Sequence, residues 1–129
     1  MLSKNTRPEL ALRQALRSLR LRYRLHRADL PGTPDIVFMR QKLAVFVHGC
    51  YWHRHSACVG RRFSANVSPE WAKRFNAVVA RDSKVEVALK AIGWQTMICW
   101  ECEIKKNPLA EATRVEARLA KLASKKSNP

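Results

Sequence analysis

The chain has 129 residues, 47% of them apolar, so it can form one domain with one core and is too apolar to be disordered. Lysine and arginine number 25 against 10 acidic residues. The net charge of +15 indicates a polyanionic partner, with nucleic acid the first candidate and a membrane surface the second. No stretch approaches the roughly 18 apolar residues of a membrane-spanning helix, and residues 1–5 lack the apolar core of a signal peptide. We therefore expect a cytoplasmic protein whose four cysteines are core thiols or metal ligands rather than structural disulfides.

The N-terminal half predicts one helix followed by strands. Thr6 and Glu9 have the spacing of a capping box, and apolar residues then recur on one face, which predicts an amphipathic helix from Pro8 to Leu19. Residues 31–34 have the composition of a turn. Strand-like runs lie at residues 23–26, 35–38, 43–47 and 94–100.

The C-terminal half predicts a long helix, the fourth strand-like run and a last helix. Ser68 caps the long helix, Gly93 ends it, and the last helix begins at Asn107. This order predicts an α/β (α+β) fold with a mixed central sheet flanked by helices. We expect residues 1–123 to form a single domain and residues 124–129 to be a disordered basic tail.

The first group of candidate metal ligands lies in residues 48–67, where apolar residues do not recur at a helical or strand spacing. Cys50, His55 and Cys58 follow the spacing Cys-x4-His-x2-Cys, which lets one loop place three ligands around a zinc ion. Cys102 could complete the set. If Cys99 and Cys102 both belong to an extended run, their side chains point to opposite faces, and we assign Cys102 to the zinc. The alternative is four unrelated buried thiols and a surface histidine.

Two carboxylates occupy positions where an acidic side chain needs a partner. Asp35 stands at the start of a buried strand, where a carboxylate is costly unless it is paired or bound to a metal, although it could also be an ordinary turn residue. Asp82 falls on the apolar stripe of the long helix. Its partner could be His48 or His53, which a carboxylate would orient for catalysis, or one of the many arginines.

Aromatic residues stand among the cations. Tyr51 and Trp52 lie in the polar stretch and Trp71 opens the long helix, so these side chains could stack on bases or wedge between them. The alternative is packing in the core, which we favour for Trp94 and Trp100 because they lie in the fourth strand-like run.

The segment at residues 48–55, His-Gly-Cys-Tyr-Trp-His-Arg-His, resembles the very short patch repair (Vsr-type) endonucleases. Further motifs of that family follow the same order: Leu-Pro-Gly-Thr-Pro-Asp at 30–35, Glu-Trp at 70–71 with Ala-Arg-Asp at 80–82, and Gly-Trp at 93–94 through Trp-Glu-Cys-Glu at 100–103. The resemblance extends roughly from Thr6 to Glu103.

The resemblance implies a restriction-endonuclease-like fold with a structural zinc site. It also implies a DNA mismatch endonuclease that nicks one strand 5′ to the thymine of a T·G mismatch left by deamination of 5-methylcytosine. The cofactors would be catalytic Mg²⁺ and structural Zn²⁺. The partner would be double-stranded DNA, with the enzyme acting as a monomer on the bacterial nucleoid and other mismatch-repair proteins as further candidate partners.

The resemblance also implies roles for individual residues. Asp35 and the backbone carbonyl of Val47 would bind magnesium, and Glu9 would hold a metal-bound water. His53, oriented by Asp82, would activate the attacking water, with His48 near the scissile phosphate. The implied zinc ligands are Cys50, His55, Cys58 and Cys102, and the implied DNA contacts are Tyr51, Trp52 and Trp71.

The sequence departs from the family pattern in ways that keep two alternatives open. Val47 stands where some members have threonine, so only its backbone oxygen is available, and the segment before Thr6 is short. That segment grips DNA in other members, so its shortness favours a nuclease of the same fold with a different substrate. The second alternative is a zinc-containing DNA-binding module without catalysis, in which Asp35→Ala would change nothing.

Overall fold

The computed structural model describes residues 6–49 and 69–127, which form four helices and four strands. The elements are α1 (Arg7–Ser18), β1 (Arg24–Leu25), β2 (Ile36–Phe38), β3 (Leu43–His48), α2 (Pro69–Ala91), β4 (Gln95–Trp100), α3 (Glu101–Lys106) and α4 (Pro108–Ser127). Seven of these eight were predicted from periodicity and capping. The exception is α3, which interrupts the predicted connection between the fourth strand and the last helix.

The four strands form one mixed sheet in the order β1-β2-β3-β4. β1 pairs antiparallel with β2, and β2 pairs antiparallel with β3. β3 and β4 are parallel, with Val45 opposite Met97 and His48 opposite Trp100. A parallel pair needs a long crossover, and α2 lies within it. The expected mixed sheet with flanking helices is therefore confirmed.

The larger core lies between one face of the sheet and the helices α1, α3 and α4. Alternate strand residues supply the sheet side, because side chains in a strand point to opposite faces in turn. The helices supply Leu12 and Leu16 from α1, Ile104 from α3 and Val115 from α4, all fully buried. The amphipathic pattern predicted for the first helix is thus part of what builds this core.

A smaller core lies on the opposite face of the sheet, beneath α2. It consists of Val37, Ala44, Leu89 and Trp94, with Phe46 and Val85 packed against it. Each strand member alternates with a member of the larger core, so the sheet has helices on both faces. None of the helices within residues 6–49 and 69–127 combines the length and the apolar character that crossing a bilayer requires.

The ends of the helices follow the predicted signals where these residues are described. The Thr6 hydroxyl accepts a hydrogen bond from the Glu9 N–H, and Asn107 Oδ1 accepts one from the Ala110 N–H. Gly93, two residues after the end of α2, has a φ of +87°, which makes it the left-handed residue that ends the helix. Ser68, the predicted cap of α2, lies outside the described residues.

One expectation near the C-terminus differs from the structure. Cys102 is the second residue of the short helix α3, so the argument that an extended run separates its side chain from that of Cys99 is wrong. The six-residue helix was missed because Ile104 is its only buried residue and leaves no visible period. The last helix extends to Ser127, and no glycine or proline interrupts its final turns.

Candidate active site

A cavity of about 580 Å³ lies between α2 and the face of the sheet that α2 covers. Its floor includes Phe46 and His48 of β3 and Ile98 and Trp100 of β4, which share a face because each pair is two residues apart. The cavity is also lined by residues that were predicted to be functional, namely Asp35, Val47, His48 and Asp82, and by His26.

Asp35 is held at the start of β2 by the backbone of the neighbouring strand. Its Oδ2 accepts a hydrogen bond of 2.8 Å from the Val47 N–H. This bond fixes the carboxylate beside the backbone of Val47, the residue whose carbonyl was expected to share a metal with it. The turn residues before Asp35 thus place its carboxylate at the cavity, which Gly32 and Thr33 of the same turn also line.

Asp35 belongs to a cluster with Glu9 of α1 and His26, which follows β1. One ligand atom from each of the three side chains lies within 4.8 Å of the other two. Glu9 is only 1% exposed, and its Oε2 lies 3.0 Å from His26 Nε2 and 3.2 Å from Arg13 Nη1. Burial of a carboxylate is expensive unless it is paired, so these two contacts explain how Glu9 is tolerated.

The donor set of this cluster fits a divalent cation. Carboxylate oxygens are the ligands that Mg²⁺ and Mn²⁺ prefer, and an imidazole nitrogen is acceptable to Mn²⁺ and later transition metals. The cluster also borders a cavity large enough to admit a reacting group. The three residues present therefore suit the metal site that was predicted at Asp35, with Glu9 beside it.

Sequence reasoning missed His26. Its spacing from Glu9 and Asp35 matches no metal motif, and it was assigned only to a short strand. Its place in the cluster depends on the pairing of that strand with the one that follows Asp35, which no local sequence pattern contains. In the structure β1 pairs antiparallel with β2, and the His26 N–H donates to the Asp35 carbonyl oxygen at 3.1 Å.

Asp82 faces the cavity from α2 and lies close to His48. The distance from Asp82 Oδ2 to His48 Nδ1 is 3.9 Å, close enough for electrostatic orientation of the ring. His48 is 6% exposed, and its ring meets Trp100 edge-on with centroids 5.3 Å apart. Of the two histidines proposed as partners of Asp82, the structure brings His48 to it, while His53 lies outside the described residues.

The two described cysteines occupy different environments. Cys99 is fully buried in the larger core, and burial, helped by the negative charge of Glu111, raises the pKa of its thiol to about 12. A thiol of this kind does not readily become the thiolate that zinc requires. Cys102 is half-buried in α3, which keeps it as the zinc candidate. Its proposed co-ligands Cys50, His55 and Cys58 lie outside the described residues.

The tryptophan residues that the structure describes also occupy different environments. Trp94 is buried in the smaller core, as expected. Trp100 differs from the core expectation because it lines the cavity against His48. Tyr51 and Trp52 lie outside the described residues, as does the side chain of Trp71.

Comparison with known proteins identifies the family. Residues 1–59 match the family model described as DNA mismatch endonuclease Vsr. The type II nicking enzyme V.XorIIP of Xanthomonas oryzae pv. oryzae is 47% identical over 117 residues, which are 91% of this chain and 82% of that protein. The type II nicking enzyme V.NmeAIP of Neisseria meningitidis serogroup A is 36% identical over 107 residues, covering 83% and 76%. The DNA mismatch endonuclease Vsr of Escherichia coli K12 is 32% identical over 103 residues, covering 80% and 65%.

These matches agree with a basic chain whose carboxylates and histidines converge on one cavity. The chain belongs to the Vsr family of DNA endonucleases.

Proposed function

We propose that this endonuclease nicks one strand of double-stranded DNA 5′ to the thymine of a T·G mismatch, as in very short patch repair of deaminated 5-methylcytosine. The observation that carries the proposal is the convergence of Asp35, His48 and Asp82 on one cavity, with Glu9 clustered beside Asp35. The family description and the name of the Escherichia coli relative support mismatch as the substrate. The names of the other relatives support cutting of one strand.

In this proposal Asp35 and the Val47 carbonyl hold the catalytic Mg²⁺, and Glu9 holds a metal-bound water. A divalent cation bound there supplies Lewis-acid polarisation of the phosphodiester. The chain's own contribution is to hold the donors in place: Val47 N–H fixes the carboxylate of Asp35, while Arg13 and His26 fix that of Glu9. Donors that are already oriented bind and position the reacting groups without further reorganisation.

The histidines are proposed to handle the proton and the phosphate. An imidazole held by a carboxylate can take a proton from the attacking water, and we assign this role to His53 with Asp82. His48 is assigned to the scissile phosphate, where a ring N–H can donate to a non-bridging oxygen. Its edge contact with Trp100 and its proximity to Asp82 support a fixed ring orientation.

Selection of the mismatch is assigned to aromatic side chains. Tyr51, Trp52 and Trp71 are proposed to enter the duplex beside the T·G pair. A mismatched step costs less to unstack than a paired one, so an inserted ring discriminates in its favour. The net charge of +15 supports binding to the phosphate backbone. We further propose that the protein acts as a monomer and that other mismatch-repair proteins complete the repair.

A structural zinc ion is proposed to organise the segment that carries His53. Its ligands would be Cys50, His55, Cys58 and Cys102, so that two of them flank His53 closely in sequence. We also propose that the mixed sheet with helices on both faces is a restriction-endonuclease-like fold.

The test of the substrate is a strand-specific nicking assay. The protein is incubated with Mg²⁺ and duplexes labelled on either strand, identical except for one T·G or T·A pair. We expect one cut, 5′ to the mismatched thymine, and an intact T·A duplex. Cutting of both duplexes would instead indicate a nuclease with a different substrate. Binding without cutting in Mg²⁺, Mn²⁺ and Co²⁺ would indicate a DNA-binding module.

The test of the zinc site uses the two described cysteines as a matched pair. We expect about one zinc ion per chain in the wild type and loss of that ion from Cys102→Ser under competition with a chelator. Cys99→Ala should keep the zinc, although creation of a cavity at this fully buried position should cost about 1–2 kcal/mol of unfolding free energy. Elemental analysis measures the zinc content of both variants. A Cys102→Ser protein with wild-type zinc content would contradict the assigned ligand set.

A further inference from the structure

We propose that His26 Nε2 is a direct ligand of the divalent cation held by Asp35 and Glu9, and that this nitrogen makes the site favour Mn²⁺ over Mg²⁺. The inference rests on the proposed function insofar as it takes the Asp35 cluster as the catalytic metal site. It adds a ligand that neither the sequence motifs nor the family name assigns, and it predicts which cation the enzyme selects.

The first argument is the spacing of the donor atoms. Octahedral ligands at about 2.1 Å from a metal lie about 3.0 Å apart when adjacent and about 4.2 Å apart when opposite. His26 Nε2 and Glu9 Oε2 are 3.0 Å apart, and the donor atoms of Glu9, His26 and Asp35 all lie within 4.8 Å of one another. Small side-chain rotations therefore suffice to bring all three onto one ion.

The second argument is that the fold holds His26 in place from two sides. Its backbone N–H donates to the carbonyl oxygen of Asp35 at 3.1 Å, so one metal candidate is tied to the backbone of another. His26 has a φ of +46°, a left-handed conformation that is uncommon outside glycine and that histidine visits more often than most residues. The side chain is only 14% exposed, so the ring is packed at the cluster rather than extended into solvent.

The third argument is charge. Glu9 and Asp35 bring two carboxylates together at a largely buried position, and Arg13 is the cation that contacts Glu9, 3.2 Å away. A divalent cation between the carboxylates relieves their mutual repulsion. In the metal-free protein the Nε2–H of His26 donates to Glu9. As a ligand, the imidazole would be the neutral tautomer that carries its proton on Nδ1, so that Nε2 would present its lone pair to the ion. Imidazole nitrogen is a better ligand for Mn²⁺ than for Mg²⁺, which is why the selectivity follows from His26.

The first experiment measures metal affinity without DNA. Titration calorimetry of the zinc-containing protein with Mn²⁺ and with Mg²⁺ compares the wild type, His26→Gln and the control Arg24→Gln on the neighbouring strand. Glutamine can still donate to Glu9 and offers Mg²⁺ an amide oxygen, so a role limited to positioning Glu9 would survive the change. We expect His26→Gln to weaken Mn²⁺ binding by at least about tenfold and Mg²⁺ binding by less than about threefold. Equal effects on both metals, or none, would overturn the proposal.

The second experiment detects the ligand itself. Pulsed electron paramagnetic resonance of the Mn²⁺-loaded wild type should show hyperfine coupling to a bound imidazole nitrogen, and His26→Gln should lose that signal. Absence of the signal in the wild type, or its persistence in the variant, overturns the proposal whatever the stability of the variant. Both readouts are independent of DNA, so the two proposals can fail separately. A protein that shows the nitrogen coupling but does not cut T·G duplexes would contradict the proposed function and not this inference. A protein that cuts T·G duplexes but shows no nitrogen coupling would contradict this inference and not the proposed function.

Discussion

Asp35→Asn is expected to abolish nicking of a T·G duplex while preserving the fold. Asparagine has nearly the same shape, and its amide oxygen can still accept the hydrogen bond that the Val47 N–H donates at 2.8 Å. What it loses is the negative charge that attracts the cation. We expect a fall in the single-turnover rate of at least about a thousandfold, equivalent to about 4 kcal/mol of transition-state stabilisation.

The same substitution should change how stability responds to metal. In the metal-free protein the free energy of unfolding should stay level or rise, because Asp35 and Glu9 belong to one cluster of donors within 4.8 Å and repel each other. A cation that binds only the folded wild type stabilises it by about 2.7 kcal/mol at a hundred times its dissociation constant. Thermal unfolding with and without Mg²⁺ should show that increment in the wild type and not in Asp35→Asn.

Asp29→Asn is the matched control for this prediction. It removes the same charge by the same substitution, but Asp29 is an exposed residue paired with Arg27 at 2.8 Å and does not line the cavity. Exposed pairs contribute little, so both activity and metal response should match the wild type. Equal behaviour of the two variants would show that Asp35 has no special relation to the metal or the reaction.

Most of the fold could be predicted because its elements carry strong local signals. The stripe of Leu12 and Leu16 and the cap at Thr6 give α1, and the left-handed glycine at 93 ends α2. The prediction failed where an element was too short to show a period. α3 has six residues and buries only Ile104, so no local pattern distinguishes it from a loop.

The site was harder to predict because its members are distant in sequence. Asp35 was singled out as a carboxylate at the start of a buried strand, and Glu9 was assigned through the family resemblance. The structure brings their side chains into one cluster. His26 carries no such signal. It joins the cluster only because β1 pairs with β2, and strand pairing is a tertiary fact that a run of alternating residues does not contain. Asp82 was correctly singled out as an acid on an apolar stripe, yet its two candidate histidines could not be separated by sequence.

Gly32→Ala is expected to cost about 2–5 kcal/mol of unfolding free energy, more than a surface turn normally would. Two costs combine at this position. Gly32 has a φ of +76°, where a side chain adds about 1–2 kcal/mol of strain. A Cβ there would also lie 2.5 Å from Val85 Cγ1 and 2.8 Å from Val85 Cγ2, and overpacking of this kind costs about 1–3 kcal/mol. Because Asp35 follows three residues later, the displaced turn should also slow nicking.

The two costs can be separated by a control and a double mutant in chemical denaturation. Gly93 also has a positive φ, of +87°, but a Cβ there meets only Lys42 Nζ at 4.0 Å, so Gly93→Ala should show the backbone cost of about 1–2 kcal/mol alone. In a Val85→Ala background, the cost of Gly32→Ala should fall close to that value, because the two methyl groups that it strikes are gone and only the Cβ of residue 85 remains nearby, at 3.2 Å. A coupling of about 1–3 kcal/mol between positions 32 and 85 follows from this geometry. If Gly32→Ala costs no more than Gly93→Ala, the turn does not pack tightly on α2, and the delivery of Asp35 to the cavity must depend on the Val47 hydrogen bond instead.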